Sequence, residues 1–252
     1  MILEIEHVTM KFGGLTVLND ISFSVGKNTI HGIIGPNGSG KTTLFNVISR
    51  IYTPVKGEIR FEGKNIIPLQ THELAKLGIA RTFQLLRVFP SMTVQENLML
   101  AMTPNEKLTV LDDVLCTPRK KRQEEEMRVR AQEVLKLIRL EKKANNPTDG
   151  ISIGQRRMLQ LGLAVISRPK LLLLDECVAG LDPENVEKLV QLVQYFQSEL
   201  GITILMVEHI MDVVLRVCDK ITALDYGKMI CEGPPDEVVK NPKVIEAYLG
   251  KG

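Results

Sequence analysis

Gly35-Pro36-Asn37-Gly38-Ser39-Gly40-Lys41-Thr42-Thr43 lies between the apolar run Ile30-His31-Gly32-Ile33-Ile34 and the segment Leu44-Phe45-Asn46-Val47-Ile48. The order reads as a strand, a glycine-rich turn and a helix. In the pattern G-x-x-x-x-G-K-T, glycines let successive backbone N–H groups turn inward around a polyphosphate, and the helix N-terminus adds the positive end of its dipole. Lys41 is expected to reach the β- and γ-phosphates, and the Thr42 hydroxyl to ligate Mg²⁺. Gly35, Pro36, Asn37, Gly38, Ser39, Gly40 and Thr43 complete the expected cradle. A turn that merely happens to carry a lysine would need neither a strand before it nor a helix after it.

A second stretch supplies the complementary chemistry. Leu171-Leu172-Leu173-Leu174-Asp175-Glu176 is an apolar strand ending in two acids, and parallel sheets bind ligands beyond the carboxyl ends of their strands. Asp175 is expected to hold the metal, directly or through water, and Glu176 to orient and deprotonate an attacking water. Ile202-Thr203-Ile204-Leu205-Met206-Val207-Glu208-His209 is a similar strand ending in a polar pair. There His209 is expected to contact the γ-phosphate and Glu176.

The 252 residues suffice for a well-buried core divided into two unequal lobes. Lys plus Arg total 32 against 30 Asp plus Glu, a balance that disfavours a nucleic-acid partner. The longest apolar runs, such as 171–174 and 202–207, fall far short of the roughly 20 residues that cross a bilayer. The opening Met1-Ile2-Leu3-Glu4-Ile5-Glu6 alternates like a strand and shows no secretory pattern, so a cytoplasmic chain is expected. Cys116, Cys177, Cys218 and Cys231 have no C-x-x-C spacing and read as reduced structural thiols, with no structural zinc implied.

Residues 1 to about 84 read as strands separated by turns: Ile2 to Val8, Ile21 to Val25, Thr29 to Ile34 and Gly57 to Phe61. From Val94 to about Leu140 the period becomes helical, with Ala131, Val134, Leu135 and Ile138 on one face. The charged run Arg119 to Glu126 reads as a solvated face with acid-to-base pairs four apart, such as Glu124 with Arg128 and Glu126 with Arg130. After Pro169, strands at 171–174, 202–207, 220–225 and 228–231 alternate with helices at 183–197 and from near His209. Apolar strands alternating with helices predict a parallel sheet buried on both faces.

Taken together these pieces resemble the ATP-binding subunits of ABC transporters over essentially the whole chain. The loop at 35–43 and the strand Leu172 to Glu176 are similar to that family's Walker A and Walker B. Arg81-Thr82-Phe83-Gln84 resembles its Q-loop, which implies that Gln84 touches Mg²⁺ and senses a transmembrane partner. Ile151-Ser152-Ile153-Gly154-Gln155 resembles the signature L-S-G-G-Q, which implies that Ser152, Gly154 and Gln155 meet the γ-phosphate of ATP held by an opposing subunit. Ala179-Gly180-Leu181-Asp182 resembles the D-loop, His209 the switch histidine, and Phe12 the aromatic that stacks on adenine.

The resemblance implies an α/β P-loop NTPase fold of the ABC-ATPase type. A RecA-like core with a β-rich subdomain would occupy about 1–85 and 168–252, and an inserted helical subdomain about 86–167. It implies a Mg²⁺-dependent ATPase working as a homodimer or with a related ATPase. The chain would sit peripherally on the cytoplasmic face of the membrane, beside integral permease subunits and, indirectly, an extracytoplasmic solute-binding protein.

Two residues depart from the family pattern. Ile153 replaces the first signature glycine, and Cys177 replaces the proline that commonly follows the catalytic glutamate. ATPases of the branched-chain amino-acid importer branch tolerate bulk at the first position, so Ile153 reads as a branch marker. Phe12-Gly13-Gly14-Leu15, Met92 to Leu98 and the ending Asn241 to Gly250 are also similar to that branch. The expected cargo is a branched-chain or other small amino acid. Two alternatives stay open: a soluble ABC-type ATPase of iron–sulfur assembly or nucleic-acid repair, and a regulatory module that binds nucleotide without hydrolysing it.

Overall fold

The computed structural model describes residues 1–82, 88–102 and 117–249, so the predicted Gln84 and the thiol of Cys116 lie outside the described residues. The chain forms two compact units. The first comprises Met1–Gln84, Pro169–Gly180 and Val186–Gly252, and the second Leu85–Arg168 and Leu181–Asn185.

In chain order the described strands are β1 Leu3–Phe12, β2 Leu15–Val25, β3 Ile30–Ile34, β4 Lys56–Phe61, β5 Lys64–Asn65, β6 Ile79–Arg81, β7 Leu171–Asp175, β8 Thr203–Val207, β9 Lys220–Asp225 and β10 Lys228–Gly233. The described helices are α1 Lys41–Ile48, α2 Thr71–Leu77, α3 Val94–Leu100, α4 Pro118–Leu137, α5 Ile153–Val165, α6 Pro183–Ser198, α7 Met211–Val217, α8 Pro235–Val238 and α9 Pro242–Leu249. None of the helices among the described residues is long and apolar enough to cross a membrane.

Two sheets build the first unit. One is antiparallel in the order β2-β1-β4-β5, and the other runs β10-β9-β3-β8-β7-β6. In the larger sheet β9, β3, β8, β7 and β6 are mutually parallel, and β10 is an antiparallel edge. Every residue of β3, β7 and β8 is buried, which explains their continuous apolar sequences: a strand covered on both faces has no polar side to alternate. One core cluster joins Leu3, Ile5 and Ile59 of the small sheet, Leu44, Phe45 and Ile48 of α1, and Leu173, Leu205 and Val207 of the large sheet. The helix that follows the glycine-rich loop is therefore held by apolar contacts from both sheets.

The first hairpin is longer than its sequence predicts. The strand expected at Ile21–Val25 begins at Leu15, because β1 and β2 pair across the Gly13-Gly14 turn with register shifts after Ile5, Val8 and Met10. Each shift breaks the two-residue alternation by which a strand is read. In the second unit, α3 opens on a capping box in which Thr93 and Glu96 exchange hydrogen bonds. Along α4 the ion pairs run base first, Lys120 to Glu124 at 3.9 Å and Arg122 to Glu126 at 3.0 Å, in place of the expected acid-first pairs.

Candidate nucleotide site

The loop leaves β3 with a backbone that only glycine fits. Gly35 has φ +152°, and a Cβ there would overlap the Leu224 carbonyl and stand 2.6 Å from Ser39 Oγ. Gly38 and Gly40 also have positive φ, and Gly40 is the residue from which α1 starts. Lys41 is buried, and its Nζ donates to the carbonyls of Gly35 at 2.7 Å and Pro36 at 2.9 Å. Burial pushes its ammonium pKa down, while Glu176 and Asp175 pull it back up. The loop is thus wrapped around its own lysine. Asn37, Gly38 and Thr42 are exposed, and Pro36 and Thr43 half-buried.

Ser39 Oγ is buried with no hydrogen-bond partner among the described residues. A buried hydroxyl without a partner costs roughly 1–3 kcal/mol, and a chain that leaves one beside a glycine cradle leaves an unfilled polar position.

Asp175 ends β7 and Glu176 follows it. The Glu176 N–H donates to Val207 O at 2.9 Å, which sets the turn alongside the end of β8, two residues before His209. Glu176 holds φ +47°, a left-handed backbone that costs a non-glycine residue about 1–3 kcal/mol. Asp175 is buried, and its Oδ2 accepts from Arg81 Nη2 at 2.7 Å. The same guanidinium donates through Nη1 to Asn46 Oδ1 at 2.8 Å and Ser49 Oγ at 2.6 Å on α1, and lies over the Phe45 ring. Arg81 therefore braces the acid strand against the loop's helix. Thr82 adds a backbone hydrogen bond to Leu173 O at 2.9 Å and accepts the Asp175 N–H at 3.2 Å. The sequence gives Arg81 no role of its own; its only signal is a cation directly after the short apolar pair Ile79-Ala80.

His209 is exposed at the end of β8, beside a buried Glu208. Burial pushes the Glu208 carboxyl pKa up; its Oε1 accepts the Val178 N–H at 3.1 Å, and its Oε2 has no hydrogen-bond partner among the described residues. Glu208 thus ties the turn after Glu176 to the segment that leads from β8 to His209, a role not legible in the sequence. Phe12 stands exposed at the end of β1, edge-on to Tyr52 with ring centroids 5.1 Å apart.

Ser152, Gly154, Gln155 and Asp182 lie in the second unit, where Ser152, Gln155 and Asp182 have hydrogen-bond partners within the chain. Ser152 caps α5: its Oγ accepts the Gln155 N–H at 3.2 Å, and its own N–H donates to Gln155 Oε1 at 3.0 Å. Asp182 Oδ1 accepts the Asn185 N–H at 3.0 Å, and Oδ2 accepts from Asn185 Nδ2 at 2.5 Å. These bonds from Asn185 hold the Asp182 carboxyl below its ordinary pKa. A Cβ on Gly154 would stand 2.7 Å from Asn185 Nδ2, so glycine is needed there to seat the amide. Ile153 is 64% exposed and makes no demand on the core.

The first unit brings Lys41, Asp175 and Glu176 together and sets the end of β8 beside them. A glycine cradle with an inward lysine, a Ser39 hydroxyl without a partner among the described residues and a helix N-terminus with Thr42 exposed in its first turn suits a polyphosphate. The Thr42 hydroxyl and Asp175 carboxylate are hard oxygen donors of the kind Mg²⁺ takes with phosphates.

Comparison with known proteins agrees with this chemistry. The family model described as ABC transporter matches residues 18–179, and the one described as branched-chain amino acid ATP-binding cassette transporter matches residues 228–252. The high-affinity branched-chain amino acid transport ATP-binding protein BraF of Pseudomonas aeruginosa is 37% identical over 250 residues, covering 99% of this chain and 98% of that protein. Among solved structures, the ADP conformation of MJ1267, an ATP-binding cassette of an ABC transporter, superposes with TM-score 0.85 at 34% identity and covers 99% of both chains. The dimeric post-hydrolysis cassette MJ0796, bound to ADP and Pi, gives TM-score 0.77 at 26% identity over 92% of this chain and 98% of that one. Family match, full-length relatives and the loop that closes on Lys41 converge: the chain belongs to the ATP-binding cassette family of ABC transporters.

Proposed function

We propose that the chain binds and hydrolyses Mg²⁺-ATP as the cassette subunit of an importer for branched-chain or other small amino acids. The observation that carries the chemistry is the convergence of Lys41, Asp175 and Glu176 beside the unpartnered Ser39 hydroxyl. Loop N–H groups, Ser39 and Lys41 take the β- and γ-phosphates, and Phe12 offers a ring face to adenine. Thr42 and Asp175, with Gln84 from outside the described residues, would hold a Mg²⁺, which when bound neutralises charge on the phosphate oxygens. Glu176 accepts a proton from a water whose oxygen attacks the γ-phosphorus, and the bond to the β–γ bridging oxygen breaks to give ADP and phosphate. His209 steadies the γ-phosphate.

A dimer fits this reading: the similar cassette MJ0796 is dimeric, and the signature residues Ser152, Gly154 and Gln155 belong to the second unit. In the working assembly the second ATPase, identical or related, supplies those residues. The pair sits against permease subunits on the cytoplasmic face of the membrane, with an extracytoplasmic solute-binding protein delivering the cargo. Two closely spaced states, closed on ATP and open after hydrolysis, would drive transport. The cargo assignment rests on the branched-chain amino acid transport of its relatives, and the ATPase assignment on the site.

Glu176→Gln tests the hydrolytic step. It keeps the shape of the side chain but removes the base, so turnover should fall about 10²–10⁴-fold while ADP affinity is retained. Turnover within a factor of two of the unmutated protein would remove Glu176 from the reaction.

A further inference from the structure

The C-terminal helix α9 reaches the phosphate loop. Asn241 starts it: its carbonyl accepts the N–H groups of Val244 and Ile245 at 3.0 Å, and its Oδ1 accepts the Lys243 N–H at 3.0 Å. Its Nδ2 donates to Cys231 Sγ on β10 at 3.2 Å, and Val244 is buried. One turn beyond, the Tyr248 hydroxyl oxygen accepts the N–H of Gly35 at 2.9 Å, across 213 residues of sequence. Burial raises the phenol's pKa, against the opposing pull of the Gly35 N–H.

Gly35 is the first residue of the loop, one position past the end of β3, and it is buried. Its carbonyl accepts from Lys41 Nζ at 2.7 Å. Gly35 is therefore held at its N–H by the C-terminal helix and at its C=O by the lysine expected to carry phosphate. With φ at +152° and no side chain, it has few steric restraints of its own apart from the Leu224 carbonyl and Ser39 beside it. If Lys41 turned from the carbonyls to a phosphate, the bond to Tyr248 would still hold the Gly35 N–H.

We infer that Tyr248 is a positioning residue of the phosphate loop, and that docking of α9 is thermodynamically linked to nucleotide occupancy. The inference rests on the nucleotide reading above. Without the phenol oxygen the buried Gly35 N–H lacks its acceptor, the loop relaxes to find one, and nucleotide must restore the receptive shape as it binds. Linkage is reciprocal, so nucleotide that fixes the loop also tightens the helix.

The test is Tyr248→Phe, which removes one oxygen, with Tyr195→Phe on the half-exposed face of α6 as control. Calorimetry should show ADP binding about tenfold weaker for Tyr248→Phe and within twofold for the control. Adenosine, which lacks phosphates, should bind both alike. Hydrogen exchange should speed up at Gly35 in Tyr248→Phe, and in the unmutated protein ADP should slow exchange along α9. ADP affinity within twofold for Tyr248→Phe, with α9 exchange indifferent to ADP, would overturn the proposal. If the variant fails to fold, the exchange measurement on the unmutated protein decides alone. Failure of the unmutated protein to bind ADP would instead bring down the nucleotide reading itself, a result distinct from normal binding that ignores Tyr248.

Discussion

The phosphate loop and the signature segment carry similar polar residues and treat them in opposite ways. In the loop, Ser39 Oγ is buried without a hydrogen-bond partner among the described residues, and Lys41 donates to two carbonyls of its own loop. In the signature segment, Ser152 and Gln155 satisfy each other, and Asp182 and Asn185 do the same beside Gly154. On the proposed reading the loop's free hydrogen-bonding capacity serves a phosphate, whereas the signature segment uses its capacity to fix a helix start. A residue's part in binding and its part in stability are therefore separable here, and they should respond to mutation with different signs.

The sorting is by use, not by unit, and His31 sharpens that point. It lies on β3 only four residues before the loop, yet its Nε2 is paired with Thr222 Oγ1 at 2.8 Å in the core. Burial, with Lys220 adding repulsion, lowers its pKa to about 3 from 6.5. The folded protein thus holds His31 neutral while the unfolded chain takes up a proton. Its contribution is complete above about pH 6.5 and is lost as pH falls toward 3, a difference of roughly 4 kcal/mol across the window. Urea unfolding between pH 7 and 4 should show stability falling with acid, and His31→Gln should flatten that slope. Parallel slopes for the two proteins would mean that His31 is not held neutral.

Lys41 tests the other side of the contrast. Lys41→Ala deletes a cation that donates to two neutral carbonyls and lies within the field of Glu176 and Asp175, so ADP affinity should fall about 10²-fold, while adenosine binding changes little. Calorimetry with both ligands checks it. An equal loss for ADP and adenosine would place Lys41 among the groups that hold the fold, and the contrast between the two segments would fail at its strongest point.

What the sequence displays is what lies contiguous along it. The loop, the acids that end β7 and the histidine that ends β8 are each a local pattern whose neighbours determine its strand or helix context. Arg81 and Tyr248 are not legible in this way, because their partners Asp175 and Gly35 lie 94 and 213 residues distant and only the sheet order brings them near. The early part of β2 was hidden for another reason: bulges in the first hairpin shift the register and erase alternation. The direction of the ion pairs on α4 depends on rotamers, which spacing does not fix, so Lys120 and Arg122 pair forward where the reading had the acids leading. The signature segment is legible as a helix start, since a serine three residues before a glutamine is a capping box; its expected contact with nucleotide came from the family resemblance alone.

The finest test compares two serines. Ser152→Ala removes a helix cap, and caps of this kind stabilise by about 1 kcal/mol, so the protein should lose about that much stability. Its ADP affinity as an isolated chain should stay within a factor of two, because no loop residue depends on that hydroxyl. Ser39→Ala removes a buried hydroxyl that has no hydrogen-bond partner among the described residues, which relieves a desolvation cost, so nucleotide-free stability should stay level or rise by up to about 1 kcal/mol. If Ser39 donates to a phosphate as proposed, ADP should then bind several-fold more weakly. The two measurements, denaturant unfolding without nucleotide and calorimetry with ADP, should move in crossed directions for the two variants. If Ser39→Ala destabilises the empty protein as Ser152→Ala does, Ser39 has a structural partner after all, and the loop's reserve of polar capacity reduces to Lys41.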